Sequence, residues 1–179
     1  RFKGQEITGL KASKRANLGI VRSFQIPRPF RSMSIIGNLL IPMEYAASDR
    51  GEQGALRDRA MEFLELVGLQ DRADENSSNL TQIDLRRLEL ARALSAKPSL
   101  LLSDESMAGL SSSEVDEILD ILLALNERGV AVIMIEHIMR AVMKFSERIV
   151  VLDAGKIIAD GSPDEIVANP DVERAYLGE

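Results

Sequence analysis

The chain of 179 residues contains no cysteine, no tryptophan and a single histidine, His137. The lack of cysteine excludes disulfide bonds and thiolate metal sites, and a reducing cytosol fits this composition. Metal binding by a histidine cluster is excluded too, because only one imidazole is present. No apolar run approaches the ~20 residues that cross a bilayer as a helix. Without disulfide bonds and without thiolate or histidine-cluster metal sites, the fold must be held together by packing and hydrogen bonds.

The chain also lacks an excess of basic residues. It has 22 Lys and Arg against 28 Asp and Glu, a net charge of -6. Proteins whose main partner is nucleic acid concentrate positive charge in stripes or patches. The charge balance therefore predicts no nucleic-acid partner. A hydrophobic content of 45% and a length of 179 residues suit one domain, or a domain with a subdomain.

The most informative stretch is SLLLSDESMAGL, residues 99–110. Its leucines predict a strand buried on both faces of a parallel sheet, and Asp104 and Glu105 follow at the strand end. Ligands of such sheets lie beyond the carboxyl ends of the strands. Adjacent acids there suit a hydrated Mg²⁺ with a nucleotide phosphate, one acid holding metal-bound water and the other polarising an attacking water. The alternative is that both acids are solvated or cap the next helix.

A second strand of the same type is predicted at Val130–Ile135 (VAVIMI). Ser111 and Glu114 form a capping-box pattern for an intervening helix over residues 112–128, which makes a βαβ unit with an expected right-handed crossover. His137 follows the second strand and is expected at the same sheet edge as Asp104 and Glu105. There it could contact a terminal phosphate or the attacking water. A lone histidine is more often a structural residue, and that alternative stays open.

The remaining chain predicts an α/β fold with a helical insertion. A strand over residues 18–24 ends at Gln25, whose amide could bind a metal's water shell or be a plain loop residue. Residues 30–97 are mostly helical, and the helix at about Asp84–Ala96 is expected to expose its charged side chains, Arg86, Arg87, Glu89 and Arg92. A hairpin around residues 153–155 and a helix start at Ser162-Pro163 follow.

A phosphate-binding loop is nearly present at the start of the chain. Gly4 and Gly9 have the spacing of G-x-x-x-x-G-K-[ST], but Leu10 stands where the lysine belongs and Lys11 comes one place late. Because the lysine must reach the terminal phosphates, the shifted version is rejected. No other segment of the 179 residues matches this pattern.

The order of these features resembles the ATP-binding subunit of ABC transporters over nearly the whole chain. VRSFQIPRPF looks like the Q-loop strand, SLLLSDES like the Walker B strand, AGLSSSE like the D-loop and IEH like the switch-histidine strand. The last 45 residues, from Ile135 onward, look like the tail of subunits that energise branched-chain amino acid uptake. The resemblance implies a P-loop NTPase (RecA-like) sheet core, N-terminally truncated, with an inserted helical subdomain.

The resemblance also assigns residues, cofactors and partners. It implies catalytic roles for Glu105, His137 and Gln25, metal ligation through water by Asp104 and Gln25, and nucleotide contacts by Thr81, Gln82 and Ile83. The cofactors would be ATP and Mg²⁺ in the complete protein. The partners would be membrane permease subunits and a second ATP-binding cassette, at the inner face of the cell membrane. ATP would favour the closed pair of cassettes and hydrolysis would release it.

Two departures from the family pattern lead to an alternative. The phosphate-binding loop is not among these residues, and the signature segment reads Leu80-Thr81-Gln82-Ile83-Asp84 where the family has LSGGQ or a variant keeping a glycine. The β-branch of Ile83 blocks a close approach of backbone to phosphate, and Asp84 adds negative charge. We expect weak ATP binding by this chain alone. The alternative is a non-catalytic docking or scaffold subunit; a DNA-repair or structural-maintenance ATPase is disfavoured by the lack of sustained heptads.

The expected domain organisation has three parts. Residues 1–25 are a remnant of the N-terminal nucleotide-binding core. Residues 26–97 form the helical subdomain with the Q-loop and signature region. Residues 98–179 form the α/β core with the Walker B strand, D-loop and switch histidine.

Overall fold

The computed structural model of the chain describes residues 1–24, 26–46 and 53–177. It divides into two compact units, Arg1–Ile135 and Glu136–Glu179. The helices and strands are, in chain order, α1 (Ala12–Asn17), β1 (Ile20–Arg22), α2 (Ile35–Ala46), α3 (Gln53–Leu66), α4 (Gln82–Ser95), β2 (Leu100–Asp104), α5 (Ser112–Glu127), β3 (Ala131–Ile135), α6 (Met139–Phe145), β4 (Ile149–Asp153), β5 (Lys156–Gly161), α7 (Pro163–Val167) and α8 (Pro170–Leu177).

The sheet of the first unit has β2 at its centre. In the described residues, β1, β2 and β3 lie in that order and both pairings are parallel. The leucine-rich β2 occupies the position with neighbours on both sides, and the register places Asp104 opposite Ile135. The predicted parallel sheet and its β2–α5–β3 unit are confirmed.

The prediction that β3 is buried on both faces is wrong. Ile133 and Ile135 are 51% and 53% exposed, whereas Val132 and Met134, which alternate with them, are partly covered. Side chains alternate between the two faces of a strand, and in the described residues α5 packs against β3. The strand is therefore covered on one face more than on the other, although its sequence is apolar throughout.

Three helices of the first unit pack around a common apolar core. Ile35 and Leu39 of α2, Leu64 of α3 and Leu88 of α4 are all at most 1% exposed. Their spacing gives each helix one apolar stripe, as the sequence predicts. The sequence also predicts a polar turn at residues 49–54; residues 49–52 lie outside the described residues, and residues 53 and 54 belong to α3.

The expectation that α4 exposes its charged side chains is wrong: Arg86 and Glu89 are buried, and Arg87 and Arg92 are half-buried. Arg86 is 5% exposed and Glu89 is 8% exposed. Both side chains bond to the backbone of Phe24, more than 60 positions earlier in the chain. A buried charge is tolerated when polar groups surround it, and these distant partners could not be read from the helix itself.

The helix α5 begins at the predicted cap. The Ser111 hydroxyl accepts a hydrogen bond from the Glu114 N–H at 3.4 Å, and the Glu114 carboxylate accepts one from the Ser111 N–H at 2.7 Å. Its apolar stripe is buried as expected, at Val115, Ile118, Leu119, Leu122 and Leu125. The capping box therefore sets where α5 begins, and the apolar stripe sets which of its faces is buried.

The second unit is a hairpin with three short helices. β4 and β5 pair antiparallel across a turn in which Ala154 and Gly155 both have positive φ. A small cluster of Ile149, Ala159 and Ile166 forms its core. Ser162 caps α7 with Pro163 at the first helical position, as the sequence predicts.

None of the helices in the described ranges is long and apolar enough to cross a membrane.

Candidate functional site

Asp104 lies at the carboxyl end of the central strand, where the sequence predicts a ligand site. Its side chain is 21% exposed and forms an ion pair with Arg22, the last residue of β1. Arg22 lies in register with Leu102, so it shares a sheet face with Asp104. The carboxylate is thus partly accessible and paired with a cation from the neighbouring strand.

Glu105 follows in a turn with an unusual backbone. Its φ is 44°, in the left-handed region that costs a side-chain-bearing residue about 1–3 kcal/mol. The Glu105 N–H donates to the Ile135 carbonyl at 2.9 Å, which extends the β2–β3 ladder by one bond. Beneath it, the buried hydroxyls of Ser103 and Ser106 lie 2.8 Å apart. These bonds hold the turn in a strained shape.

The backbone of Phe24 is held by two buried side chains of α4. The Phe24 N–H donates to Glu89 Oε1 at 2.5 Å, and Arg86 Nη1 donates to the Phe24 carbonyl at 3.3 Å. Farther along the same segment, Arg92 Nη1 donates to the Arg28 carbonyl at 2.9 Å. The chain on either side of position 25 is therefore fastened to α4.

Burial changes the titration of this cluster. Desolvation raises the pKa of Glu89 above its usual value, although the Phe24 N–H and the cations Arg86 and Arg92 act in the opposite direction. Desolvation likewise lowers the pKa of Arg92, against the attraction of Glu89. Since removal from water disfavours each charged form, both shifts follow from the position of these groups in the interior.

The signature segment forms the start of α4. Thr81 is the N-cap, and its hydroxyl accepts a hydrogen bond from the Asp84 N–H at 3.3 Å. A hydroxyl has one donor as well, so capping leaves the Thr81 proton able to bond an anion. Ile83 is half-buried, and its β-branched side chain hinders a close approach of phosphate to the backbone.

Gln82 connects the signature segment to the loop after β2. Its Nε2 lies 3.4 Å from the Ala108 carbonyl, and a Cβ at Gly109 would lie only 2.9 Å from that nitrogen. Gly109 also has φ of 79°, a backbone conformation that favours glycine. Two predicted parts of the site, at Gln82 and after Glu105, are therefore in contact.

The negative charge of Asp84 is compensated. Arg72 donates to Asp84 Oδ2 at 2.8 Å, and Arg87 lies 3.5 Å from the other oxygen. The hydrogen bonds that Arg72 donates to the Glu75 and Asp84 carboxylates raise the pKa of Arg72. These two cations, which the linear motif does not reveal, reduce the repulsion expected between Asp84 and a phosphate.

Gln25 and His137 are the two remaining predicted site residues. Gln25 lies outside the described residues. His137 belongs to the second unit, where its side chain is 67% exposed and its Nδ1 lies 4.0 Å from a Glu136 carboxylate oxygen. The roles of both remain predictions.

The residues present fit a magnesium ion held mainly by water and phosphate. Among the described residues, no group of three or more His, Cys, Asp or Glu side chains could enclose a metal. Mg²⁺ is commonly held by one or two carboxylates together with waters and substrate phosphates. Asp104 offers such a carboxylate at the sheet edge, and a metal there would compete with Arg22.

Sequence reasoning missed Arg22, Glu89 and the cavity-lining residues near α1. An arginine inside the apolar strand LGIVRSF was a usable signal, because a charge in such a strand needs a partner. No local signal marks Glu89, whose partner is Phe24. A shallow cavity of about 300 Å³, lined by Gln5, Leu10, Lys14, Asn17 and Leu18, contains none of the predicted site residues.

Sequence comparisons place the chain among transport proteins. Residues 1–108 match the family model described as "ABC transporter", and residues 156–179 match that of the branched-chain amino acid ATP-binding cassette transporter. The chain is 39% identical to the high-affinity branched-chain amino acid transport ATP-binding protein LivG of Escherichia coli K12, over 99% of this chain and 75% of the relative. It is 38% identical to BraF of Pseudomonas aeruginosa, over 100% and 75%.

Solved structures give the same picture. The ADP conformation of MJ1267, an ATP-binding cassette of an ABC transporter, superimposes with a TM-score of 0.85 at 26% identity, covering 98% of this chain and 74% of that one. The cbiO1 protein of Clostridium perfringens, part of the ABC transporter complex cbiONQ, gives 0.77 at 26% identity, covering 89% and 62%. The fold is that of the P-loop NTPase cassettes. The chain therefore belongs to the ATP-binding cassette family of ABC transporters, in the group of branched-chain amino acid transport ATP-binding proteins.

Proposed function

We propose that this chain is an ATP-binding and ATP-hydrolysing subunit of an importer for branched-chain amino acids. Membership of the family and the names of LivG and BraF support the transport assignment. The observation that carries catalysis is the end of β2, where a partly exposed Asp104 is followed by Glu105 in a strained turn. Strained backbone at the end of a central strand is typical of functional sites.

The chemistry is divided among named residues. Asp104 holds water of the Mg²⁺ shell, and Glu105 takes the proton of the attacking water. Bound Mg²⁺ neutralises charge on the phosphates. His137 would contact the terminal phosphate, and Gln25 would bind water held by the metal. Thr81, Gln82 and Ile83 face nucleotide held by a second cassette, where the Thr81 hydroxyl is the group with a free donor.

The partners follow from the same assignment. The chain works with membrane permease subunits and a second cassette, at the inner face of the membrane. ATP binds the closed pair better than the open one, so binding and hydrolysis shift the permease between two states. The 179 residues carry no G-x-x-x-x-G-K-[ST] loop, so we expect them alone to bind ATP more weakly than micromolar in calorimetry. The three-part organisation at residues 1–25, 26–97 and 98–179 is part of the proposal.

The test is Glu105→Gln in the assembled transporter that contains this chain. Removing the proton acceptor should lower ATP turnover and uptake at least about 100-fold, because general-base contributions are of that size. Glu62→Gln, on an exposed part of α3, is the matched control and should leave both rates unchanged. Unchanged uptake in Glu105→Gln would instead support the scaffold alternative, which the altered signature segment favours.

A further inference from the structure

The ion pair between Arg22 and Asp104 joins two neighbouring strands at the proposed metal site. Arg22 Nη2 bonds Asp104 Oδ2, and both side chains lie on the sheet face that also carries Leu102. Asp104 is 21% exposed and Arg22 is 56% exposed. A cation supplied by the chain itself therefore bonds the carboxylate that the proposed function assigns to the metal's water shell.

The arginine is held in this place from its other side. Its guanidinium lies over the ring of Phe24, 5.6 Å from the ring centre. Phe24 in turn has its N–H bonded by Glu89 and its carbonyl by Arg86, both buried on α4. A stacked guanidinium loses less freedom when it pairs with a carboxylate than a freely moving one. The pair is thus prepared by packing that begins on α4.

We propose that Arg22 is a positioning residue that pairs with Asp104 until a divalent cation takes its place, and that it weakens the affinity of Asp104 for that cation. This inference rests on the metal role of Asp104 in the proposed function. A guanidinium and a metal ion both require the negative charge of the same carboxylate, so the metal binds only as the ion pair opens. Arg22 also orients the carboxylate in the absence of metal.

The test measures metal binding directly, without nucleotide. Mn²⁺ is titrated into the full chain, and line broadening of backbone amide signals around residues 103–106 reports its affinity. Arg22→Met should tighten Mn²⁺ binding about twofold to fivefold, since partly exposed ion pairs have effects of that size. Arg22→Lys keeps the charge and should stay close to the wild type. Asp104→Asn should abolish the broadening in either background.

A matched control removes the same charge elsewhere. Arg148 forms a two-bond ion pair with Asp160 in the second unit, with distances of 2.8 and 2.6 Å. Arg148→Met should leave Mn²⁺ affinity at residues 103–106 unchanged. Equal affinity in wild type and Arg22→Met, or equal tightening by Arg148→Met, overturns the inference.

A further variant covers the case in which Arg22→Met does not fold. Phe24→Leu keeps the charge but removes the ring under the guanidinium, so it should tighten Mn²⁺ binding less than Arg22→Met but measurably; no change overturns the inference. Broadening that persists in Asp104→Asn means that the metal role of Asp104, and with it that part of the proposed function, is wrong. Unchanged ATP turnover in Glu105→Gln, together with an intact Arg22 effect on Mn²⁺ binding, would contradict the proposed function alone.

Discussion

Single residues of α4 have two different tasks in this protein. Its apolar side chains pack into the helical core. Glu89 and Arg86 are also buried, but they bond the backbone of Phe24. Phe24 has lost its strand partners by this point, so its polar groups need side-chain partners instead. Buried charges on a helix therefore serve the segment that follows β1.

Removal of the Glu89 carboxylate should destabilise the fold. Glu89→Ala leaves the Phe24 N–H without its acceptor and should lower the free energy of unfolding by about 1–3 kcal/mol in urea denaturation. Glu89→Gln retains an acceptor oxygen and should cost less than the alanine variant at neutral pH. Glu62→Gln is the control for loss of a carboxylate on the surface. A harmless alanine variant would contradict the assigned hydrogen bond.

The same residue predicts a pH effect of defined sign. Burial raises the pKa of Glu89 above its ordinary 4.5, so in the interval above pH 4.5 the folded chain binds more protons here than the unfolded chain. The contribution of Glu89 to the free energy of unfolding is therefore greatest below pH 4.5, and it falls as the pH rises through the raised pKa. Unfolding curves of wild type and Glu89→Gln should therefore converge at low pH. Parallel curves across the interval would count against this assignment.

Residue-scale prediction from sequence succeeded where the signal was local. The apolar run predicts that β2 ends at the acid pair, and Glu114 three positions after Ser111 predicts the cap of α5. Both placements are confirmed, whereas the roles of Asp104 and Glu105 stay predictions. Glu89 was placed on the solvent face, because charge on an amphipathic helix is normally solvated. Its partner is 65 positions away, and contacts across that distance leave no pattern in a window of one helix.

At the scale of elements, helix caps set where several segments begin. Ser111 caps α5, and bonds from the Ser111 hydroxyl and N–H lower the pKa of Glu114. A lowered pKa means that the charged cap contributes above pH 4.5 and is lost as pH falls through the folded value. This reciprocal pattern is visible in the sequence, which is why the start of α5 was predicted to the residue.

Loss of the Ser111 hydroxyl should be measurable. Ser111→Ala removes one half of the capping box and should reduce stability by about 1 kcal/mol in chemical denaturation. Ser111→Thr retains the hydroxyl and is the matched control, with a smaller loss expected. Identical stabilities of the two variants would show that the hydroxyl contributes nothing.

The sheet shows where element-scale prediction stops. The apolar sequence of β3 predicts burial on both faces, yet Ile133 and Ile135 are about half exposed. An apolar sequence shows that a strand can be buried, whereas its actual burial depends on which other elements cover it. β2 and β3 were correctly predicted as neighbouring parallel strands because the helix between them is long enough for a crossover.

At the scale of the whole molecule, the chain has two units with separate apolar cores. Ile166, which is 2% exposed, belongs to the small cluster of the second unit with Ile149 and Ala159. The core of the first unit includes Leu64 and Leu88. Local opening often follows such boundaries, with each cooperative unit exchanging its amides separately.

A core substitution in the second unit should act mainly within it. Ile166→Ala should destabilise that unit by about 2–5 kcal/mol and speed hydrogen exchange at the amides of β4 and β5. Amides of α3 and α4 should keep their protection. Val167→Ala, at the neighbouring position that is 66% exposed, is the control and should change neither group. Equal acceleration in both units would mean that they unfold as one.

The left-handed backbone of Glu105 has a consequence for how this sequence would evolve in the laboratory. Glycine adopts that conformation freely, so a library selected only for heat resistance should enrich glycine at position 105, just as at Lys97, whose φ is 51°. Restoring a demand for growth on the transported nutrient should reverse the enrichment at 105 and leave glycine at 97. The two positions share the same left-handed backbone conformation, so only selection for ATP turnover would distinguish them.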